Sequence, residues 1–263
     1  MSIITTQTAD RLRAIWSTRP IPPLSYATVR EYCEYSDVCP ELFGGCQDLK
    51  DAQRPWMIKA VLATVPPGAS LVEIGGGQPT VAQALVDLGY RVTVVDPYDG
   101  SGNGPVEYDR YRREYPQVRL VRSQFTKDCP FAEGSFDGVY SVSVIEHIPL
   151  EALAGLFAAM KKFVRPGGAS IHCIDVVLRG WTADHHRKPA QEVIRLQQIL
   201  TALAEPAELG DFDCLAARME ADVETFLLSP YGHNMWRNGV PYEQYPFRRV
   251  ASVQVCGKLV SFR

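Results

Sequence analysis

The sequence predicts an α/β fold: a doubly wound, mostly parallel seven-stranded sheet with an antiparallel C-terminal edge hairpin and an N-terminal helical or irregular cap. From residue 53 onward, short β-branched runs alternate with amphipathic helical segments. This alternation is typical of a parallel sheet covered by helices. The last two β-rich segments have no helix of comparable length between them, which favours an antiparallel hairpin at one edge.

The strands and helices are predicted from apolar periodicity. We expect strands at Leu71–Ile74, Arg91–Val95, Val118–Arg122, Gly138–Ser143, Ala169–Val176, Glu224–Leu228 and Arg249–Phe262. Helical spacing predicts helices at about residues 53–65, 80–88, 107–114, 150–163 and 194–203. Residues 53–263 are therefore interpreted as one domain, in which 177–222 and 229–248 are insertions on the substrate side.

Residues 1–52 are interpreted as an N-terminal cap or lid segment. Four prolines exclude a long helix there. The segment is rich in aromatic residues, namely Trp16, Tyr26, Tyr32, Tyr35 and Phe43. These side chains either pack against the domain or form a lid over a bound molecule, and the sequence leaves both interpretations open.

Composition and charge narrow the class of protein. The 263 residues are 46% hydrophobic and 22% charged, which excludes a largely disordered chain. The net charge is −3 and no basic block occurs, so we expect no nucleic-acid partner. No apolar run approaches about 18 residues, so we expect no membrane partner.

The cysteine pattern favours free thiols. Seven cysteines are scattered along the chain, and the first ten residues lack a basic start followed by an apolar core. An odd, scattered set of this kind indicates a reducing compartment, so we expect a soluble cytoplasmic protein. Cys33, Cys39 and Cys46 have neither zinc-site nor iron–sulfur spacing.

A glycine-rich turn after the first predicted strand carries the functional prediction. Gly75, Gly76 and Gly77 follow Leu71–Ile74 directly. Glycines there let the backbone approach a ligand, and ligands of open α/β sheets bind beyond the carboxyl ends of the strands. Asp96, 19 positions after Gly77, ends the second strand, where a carboxylate can accept bonds from both ribose hydroxyls. We therefore expect a ligand that contains a nucleoside.

Two residues discriminate between nucleoside cofactors. A dinucleotide fingerprint needs a third glycine where this chain has Thr80. Glu73 would repel a pyrophosphate but suits a ligand that carries an ammonium group, as S-adenosylmethionine does. Two alternatives stay open: an NAD(P)-dependent oxidoreductase on a similar sheet, and a non-catalytic binding protein.

Four segments together resemble a known family. Leu71–Gly77 and Val92–Asp96 resemble the first and second motifs of class I (Rossmann-like) S-adenosylmethionine-dependent methyltransferases. Residues 130–148 are similar to the fourth-strand region of the small-molecule branch of that family, and 163–168 resemble the turn before its fifth strand. The resemblance covers about residues 53–176.

The resemblance implies an enzyme that moves a methyl group from S-adenosylmethionine to an O or N atom of a small molecule, such as a sugar or secondary metabolite. It implies that Asp96 binds the ribose, that the glycine turn binds the amino acid end, and that Ser123 or Gln124 meets the adenine. The expected cofactor contacts are Glu73, Gly75, Gly76, Gly77, Asp96, Pro97, Tyr98, Ser123, Gln124 and Ser143.

His147, just past the fourth strand, is the catalytic candidate. It is interpreted either as a general base or as a residue that packs under the cofactor. Some relatives bind a divalent ion through Glu-x-x-Glu-His, but here the first position is Ser143, so we expect no metal. Nucleobase amines are also disfavoured as acceptors, because Ser141-Val-Ser-Val stands where their methylases carry Asn/Asp-Pro-Pro-Tyr/Phe.

The segment 229–247 is predicted to recognise the acceptor. It joins the last two predicted strands and is too polar for a core. The candidate contacts are Tyr231, His233, Trp236, Arg237 and Tyr242. Arg237, Arg248 and Arg249 suit an acidic substrate or, equally, surface ion pairs.

Overall fold

The computed structural model describes residues 2–43, 48–101, 104–180, 183–201 and 212–260. Its strands are β1 (Leu24–Tyr26), β2 (Ser70–Ile74), β3 (Arg91–Asp96), β4 (Arg119–Arg122), β5 (Phe136–Val142), β6 (Val164–Arg179) and β7 (Arg249–Lys258). They form one seven-stranded sheet in the order β1-β7-β6-β5-β2-β3-β4. Pairs among β2 to β6 are parallel, whereas β7 runs antiparallel to both β6 and β1. The fold class predicted from the sequence is confirmed.

Helices cover both faces of the sheet. They are α1 (Thr6–Trp16), α2 (Val29–Val38), α3 (Lys50–Thr64), α4 (Thr80–Asp87), α5 (Tyr108–Glu114), α6 (Leu150–Phe163), α7 (Ala183–Leu200), α8 (Phe212–Ala221) and α9 (Pro230–Trp236). Short 3-10 turns occupy Pro40–Leu42 and Ile145–His147. Alternate residues of β2 enter different cores: Leu71 joins side chains of α1 to α5, and Val72 joins those of α6 to α8.

The edge strand differs from the expected C-terminal hairpin. Glu224–Leu228 makes only isolated bridges, in which Thr225 pairs with Thr28 and Leu227 with Ala251. The edge position belongs to β1, which pairs along β7 from Leu24–Val255 to Tyr26–Val253. The backbone nitrogens of Phe226 and Leu228 donate to the carbonyls of Ala27, just after β1, and of Val250 in β7. The free edge of β7 is thus filled by the N-terminal segment.

The N-terminal segment is part of the domain's core. Trp16 and Tyr35 are fully buried and meet edge to face, with 5.7 Å between ring centroids. Asp87, which ends α4, accepts hydrogen bonds from the backbone nitrogens of Ile3 and Ile4. Within residues 2–43, none lines the large cavity described below. The domain boundary at residue 52 and a lid role stay predictions, and Cys46 lies outside the described residues.

The order of the strands places a crevice between two of them. After β2 the chain continues outward to β3 and β4, and then returns to β5 on the other side of β2. In doubly wound sheets ligands bind beyond the carboxyl ends of the strands at such a reversal. No helix in the described part of the chain is long and apolar enough to span a membrane.

Candidate active site

A cavity of about 1500 Å³ opens at the carboxyl ends of β2, β3, β5 and β6. The glycine turn, the end of β3, the turn after β5 and the end of β6 form its walls. Ten residues singled out by sequence line it: Glu73, Gly75, Gly76, Gly77, Asp96, Pro97, Gln124, Ser143, His147 and Trp236. The fold thus gathers most of the predicted cofactor residues in one place.

The turn after β2 requires glycine for two separate reasons. Gly75 and Gly77 have φ of +64° and +51°, which side-chain-bearing residues rarely adopt. A Cβ on Gly75 would lie 2.4 Å from Cγ1 of Val144, and one on Gly76 would lie 2.7 Å from Cγ1 of Val94. The backbone is therefore packed tightly against the end of β5 and against β3.

Asp96 holds the turn in place. Its Oδ2 accepts a hydrogen bond from the backbone nitrogen of Gly77 at 3.1 Å, and its Oδ1 accepts one from the nitrogen of Tyr98 at 2.8 Å. Tyr98 is buried and has a φ of +48°, and its hydroxyl donates to the carbonyl of Gly77. Tyr98 thus stabilises the turn through this hydrogen bond but does not line the cavity. Ser123, another predicted contact, is also absent from the lining.

Glu73 is a buried acid beneath the glycine turn. Only 3% of it is exposed, and its Oε2 accepts a hydrogen bond from the hydroxyl of Tyr140 at 3.0 Å. Burial raises the pKa of Glu73 to about 8, against the opposing effects of Tyr140 and Arg54. The carboxyl therefore carries a proton much of the time at neutral pH, and a cation bound beside it would favour loss of that proton.

A second polar group forms the wall at β5 and β6. Ser143 has a φ of +52°, and its hydroxyl lies 2.7 Å from Oε1 of Gln53 and 3.0 Å from Oδ1 of Asp175. Gln53 Nε2 donates to the same Asp175 oxygen at 2.6 Å. Sequence reasoning missed Gln53 and Asp175, although an acid inside the apolar run Ile174-Asp175-Val176-Val177 was a usable signal.

Two further titratable residues follow β5. Glu146 is buried, and its Oε1 accepts from the backbone nitrogen of Asp175 at 2.9 Å. Burial and the neighbouring Asp175 raise the pKa of Glu146 well above its usual range. His147 lines the cavity; burial first, then Lys50 and Arg248, lower its pKa, so its imidazole is neutral at neutral pH.

The described residues contain no cluster of three or more His, Cys, Asp or Glu side chains suited to a metal ion. The expectation of metal independence stays a prediction, and so does the catalytic role of His147.

Of the predicted acceptor contacts, Trp236 lines the cavity, together with Tyr245 and Arg248. The remaining four are not in its lining: Tyr231, His233, Arg237 and Tyr242. His233 is buried between aromatic rings and stacks on Tyr245 at 5.5 Å. Acceptor contact by these four residues stays a prediction.

Comparison with known proteins supports the resemblance. Residues 72–172 match the model of a methyltransferase domain family. An uncharacterized methyltransferase of Mycobacterium sp. (strain JLS) is 30% identical over 129 residues, which are 49% of this chain and 48% of that protein. One from Mycobacterium avium (strain 104) is 32% identical over 110 residues, 40% of this chain and 38% of that protein. The chain thus spans about half the length of the first of these relatives.

A solved structure shows the same fold over nearly the whole chain. Geranyl diphosphate C-methyltransferase from Streptomyces coelicolor A3(2) has a TM-score of 0.51 at 14% identity, covering 97% of this chain and 99% of that one. At this identity the likeness concerns the fold alone. Residues 72–172 are therefore similar to a methyltransferase domain family, and the chain has the Rossmann-like fold seen in that solved methyltransferase.

Proposed function

We propose that the chain is a methyltransferase that uses S-adenosylmethionine to methylate an O or N atom of a small molecule. The observation that carries this proposal is the Gly77–Asp96 contact at the mouth of the cavity. It sets a carboxylate beside a glycine turn into which no Cβ fits at Gly75 or Gly76. A carboxylate and exposed backbone groups suit a ribose and an amino acid, respectively.

The donor set fits this cofactor better than a dinucleotide. Glu73, buried under the turn, would ionise beside an ammonium group and pair with it, whereas it offers a pyrophosphate no positive charge. S-adenosylmethionine supplies an electrophilic methyl group on a sulfonium. The chain's own part is to hold the acceptor atom in line with that carbon, and orientation alone can supply about 7–11 kcal/mol of the barrier.

The walls of the cavity favour a small acceptor. Val177, Val250 and Trp236 give the part near β6 an apolar surface, whereas Lys50 and Arg248 supply charge. A large apolar pocket with a few convergent polar groups is the usual form of a small-molecule site.

The test is a screen for methyl transfer. The protein is incubated with methyl-labelled S-adenosylmethionine and a panel of alcohols, phenols, amines and sugars, while S-adenosylhomocysteine formation is followed. The proposal predicts transfer to at least one panel member, with the label on O or N by mass spectrometry. Label on carbon alone would overturn the proposed acceptor atom, and cofactor binding without any transfer would favour a binding protein.

A further inference from the structure

Asp175 is a buried carboxylate that lines the cavity near the end of β6. Gln53 Nε2 donates to its Oδ1, and the Ser143 hydroxyl, whose single proton is shared between this oxygen and Gln53 Oε1, lies 3.0 Å from the same oxygen. This arrangement leaves Oδ2 as the oxygen that a molecule in the cavity would meet.

The groups that hold Asp175 are themselves fixed. Gln53 is completely buried, and its Nε2 also donates to the hydroxyl of Ser252 at 2.8 Å. Ser143 occupies the left-handed region, which residues with a side chain rarely adopt. Strain of this kind persists only where the surrounding structure imposes it, and here it brings the Ser143 hydroxyl against Asp175.

Asp175 is connected to the glycine turn through the ends of β5 and β6. The backbone nitrogen of Ser143 donates to the carbonyl of Cys173 at 3.0 Å, which joins the ends of β5 and β6. The next residue, Val144, is the one that packs against Gly75. Contacts through Ser143 and Val144 therefore connect Asp175 to the glycine turn.

The charges around this carboxylate suit a proton acceptor. Beyond the effect of burial, the pKa of Asp175 is raised by the charge of Asp48 and lowered by that of Lys50. The charge of Asp175 in turn raises the pKa values of Glu146 and Cys173. Burial raises the pKa of Asp175, which makes the carboxylate a better proton acceptor than an exposed one.

Two cationic side chains also line the cavity. Lys50 and Arg248 both lie near enough to His147 to lower its pKa. They would stabilise an oxygen that becomes negative during the reaction. The rings of Trp236 and Tyr245 line the same region and match an aromatic body.

We propose that Asp175 is the general base of the methyl transfer and that the acceptor is a phenolic hydroxyl; this rests on the proposed function. As the acceptor oxygen bonds to the methyl carbon, the carbon–sulfur bond breaks and its electron pair goes to sulfur. The O–H bond breaks and its proton goes to Asp175 Oδ2, which later releases it to solvent. Gln53 and Ser143 act as positioning residues, and His147 is not the base.

The first test measures binding without turnover. The protein is saturated with S-adenosylhomocysteine and titrated with phenol and with anisole, which lacks the hydroxyl proton. We expect wild type to bind phenol about 10-fold more tightly, D175A and D175N to lose most of that preference, and the control D10N, on the exposed surface of α1, to keep it. A preference unchanged in the folded Asp175 variants, or absent in wild type, would overturn the proposal.

The second test separates a base from a structural residue. Phenol and 4-nitrophenol are compared as acceptors of labelled methyl, because 4-nitrophenol ionises at neutral pH without a base. D175N should slow transfer to phenol at least about 100-fold and transfer to 4-nitrophenol far less. Equal losses would overturn the base role. If wild type binds S-adenosylhomocysteine but methylates neither phenol nor 4-nitrophenol, the proposed acceptor class is wrong. If wild type does not bind S-adenosylhomocysteine, the proposed function itself is wrong.

Discussion

Oδ2 of Asp96 lies 3.1 Å from the backbone nitrogen of Gly77, and the nitrogen donates a hydrogen bond to it. The two residues are 19 positions apart, yet they meet because Asp96 ends β3 and Gly77 follows the neighbouring parallel strand β2. The carboxylate therefore fixes the turn and also lines the cavity. Loss of this group should weaken a nucleoside ligand in both ways.

Asp96→Ala is expected to weaken binding of S-adenosylhomocysteine by about 1.5–3 kcal/mol, or roughly 10- to 150-fold, because charge-assisted hydrogen bonds are lost. Isothermal titration calorimetry measures the change. Asp10→Ala, on the exposed surface of α1, is the matched control and should bind as wild type does. Unchanged affinity in folded Asp96→Ala would remove Asp96 from the ribose site.

Gly75→Ala should disrupt the turn. The new Cβ would lie 2.4 Å from Val144, and relief of that overlap costs about 1–3 kcal/mol beyond the strain of a positive φ. Gly68→Ala is the control, since Gly68 has a φ of +77° with nothing within 4 Å of its Cβ position. We expect a lower Tm for Gly75→Ala than for Gly68→Ala. We also expect Gly75→Ala to bind S-adenosylhomocysteine at least 10-fold more weakly, which corresponds to a loss of ~1.4 kcal/mol of binding free energy. Equal Tm values and affinities would contradict the packing described for this turn.

Glu73 should make the stability of the protein depend on pH. Its pKa rises from 4.5 to about 8 on folding, so the folded state holds its proton where the unfolded state has lost it. The stability this group contributes is complete below about pH 4.5 and is lost as the pH rises towards about 8, by at most ~1.4 kcal/mol per pH unit.

Glu73→Gln removes that proton equilibrium while it keeps an oxygen for Tyr140. Urea unfolding across this pH range should show that the free energy of unfolding of the variant increases relative to that of wild type as the pH rises. The exposed Glu133→Gln serves as the control and should follow wild type. A constant difference between Glu73→Gln and wild type at every pH would mean that Glu73 is ionised in the folded protein.

Chelation should leave methyl transfer intact. The interrupted motif at Ser143 predicts no metal, and activity measured before and after dialysis against EDTA checks this. A loss that Mg²⁺ or Zn²⁺ restores would instead indicate a metal site near Glu146 and His147.

The sheet and the cofactor half of the site were predictable from sequence because their signals are local. A β-branched run, a glycine cluster and an acid at a strand end each occupy a few consecutive residues, and the parallel sheet brings their ends together. Gly75, Gly77 and Asp96 all lie where the pattern indicated.

The acceptor half was less predictable because it depends on contacts between distant segments. Gln53 meets Asp175 across 122 positions, and neither residue belongs to a recognisable motif. The exchange of Glu224–Leu228 for β1 at the sheet edge has the same origin, since both segments are short and extended and only tertiary packing decides which one pairs with β7.

The central claim is that the cavity binds S-adenosylmethionine. Calorimetric titration of the protein with S-adenosylhomocysteine, with NADH and NADPH run beside it, tests this claim most directly. We predict saturable binding of S-adenosylhomocysteine and none of either nicotinamide cofactor. Binding of NADH or NADPH alone would contradict the assignment of the glycine turn and, with it, the methyltransferase function.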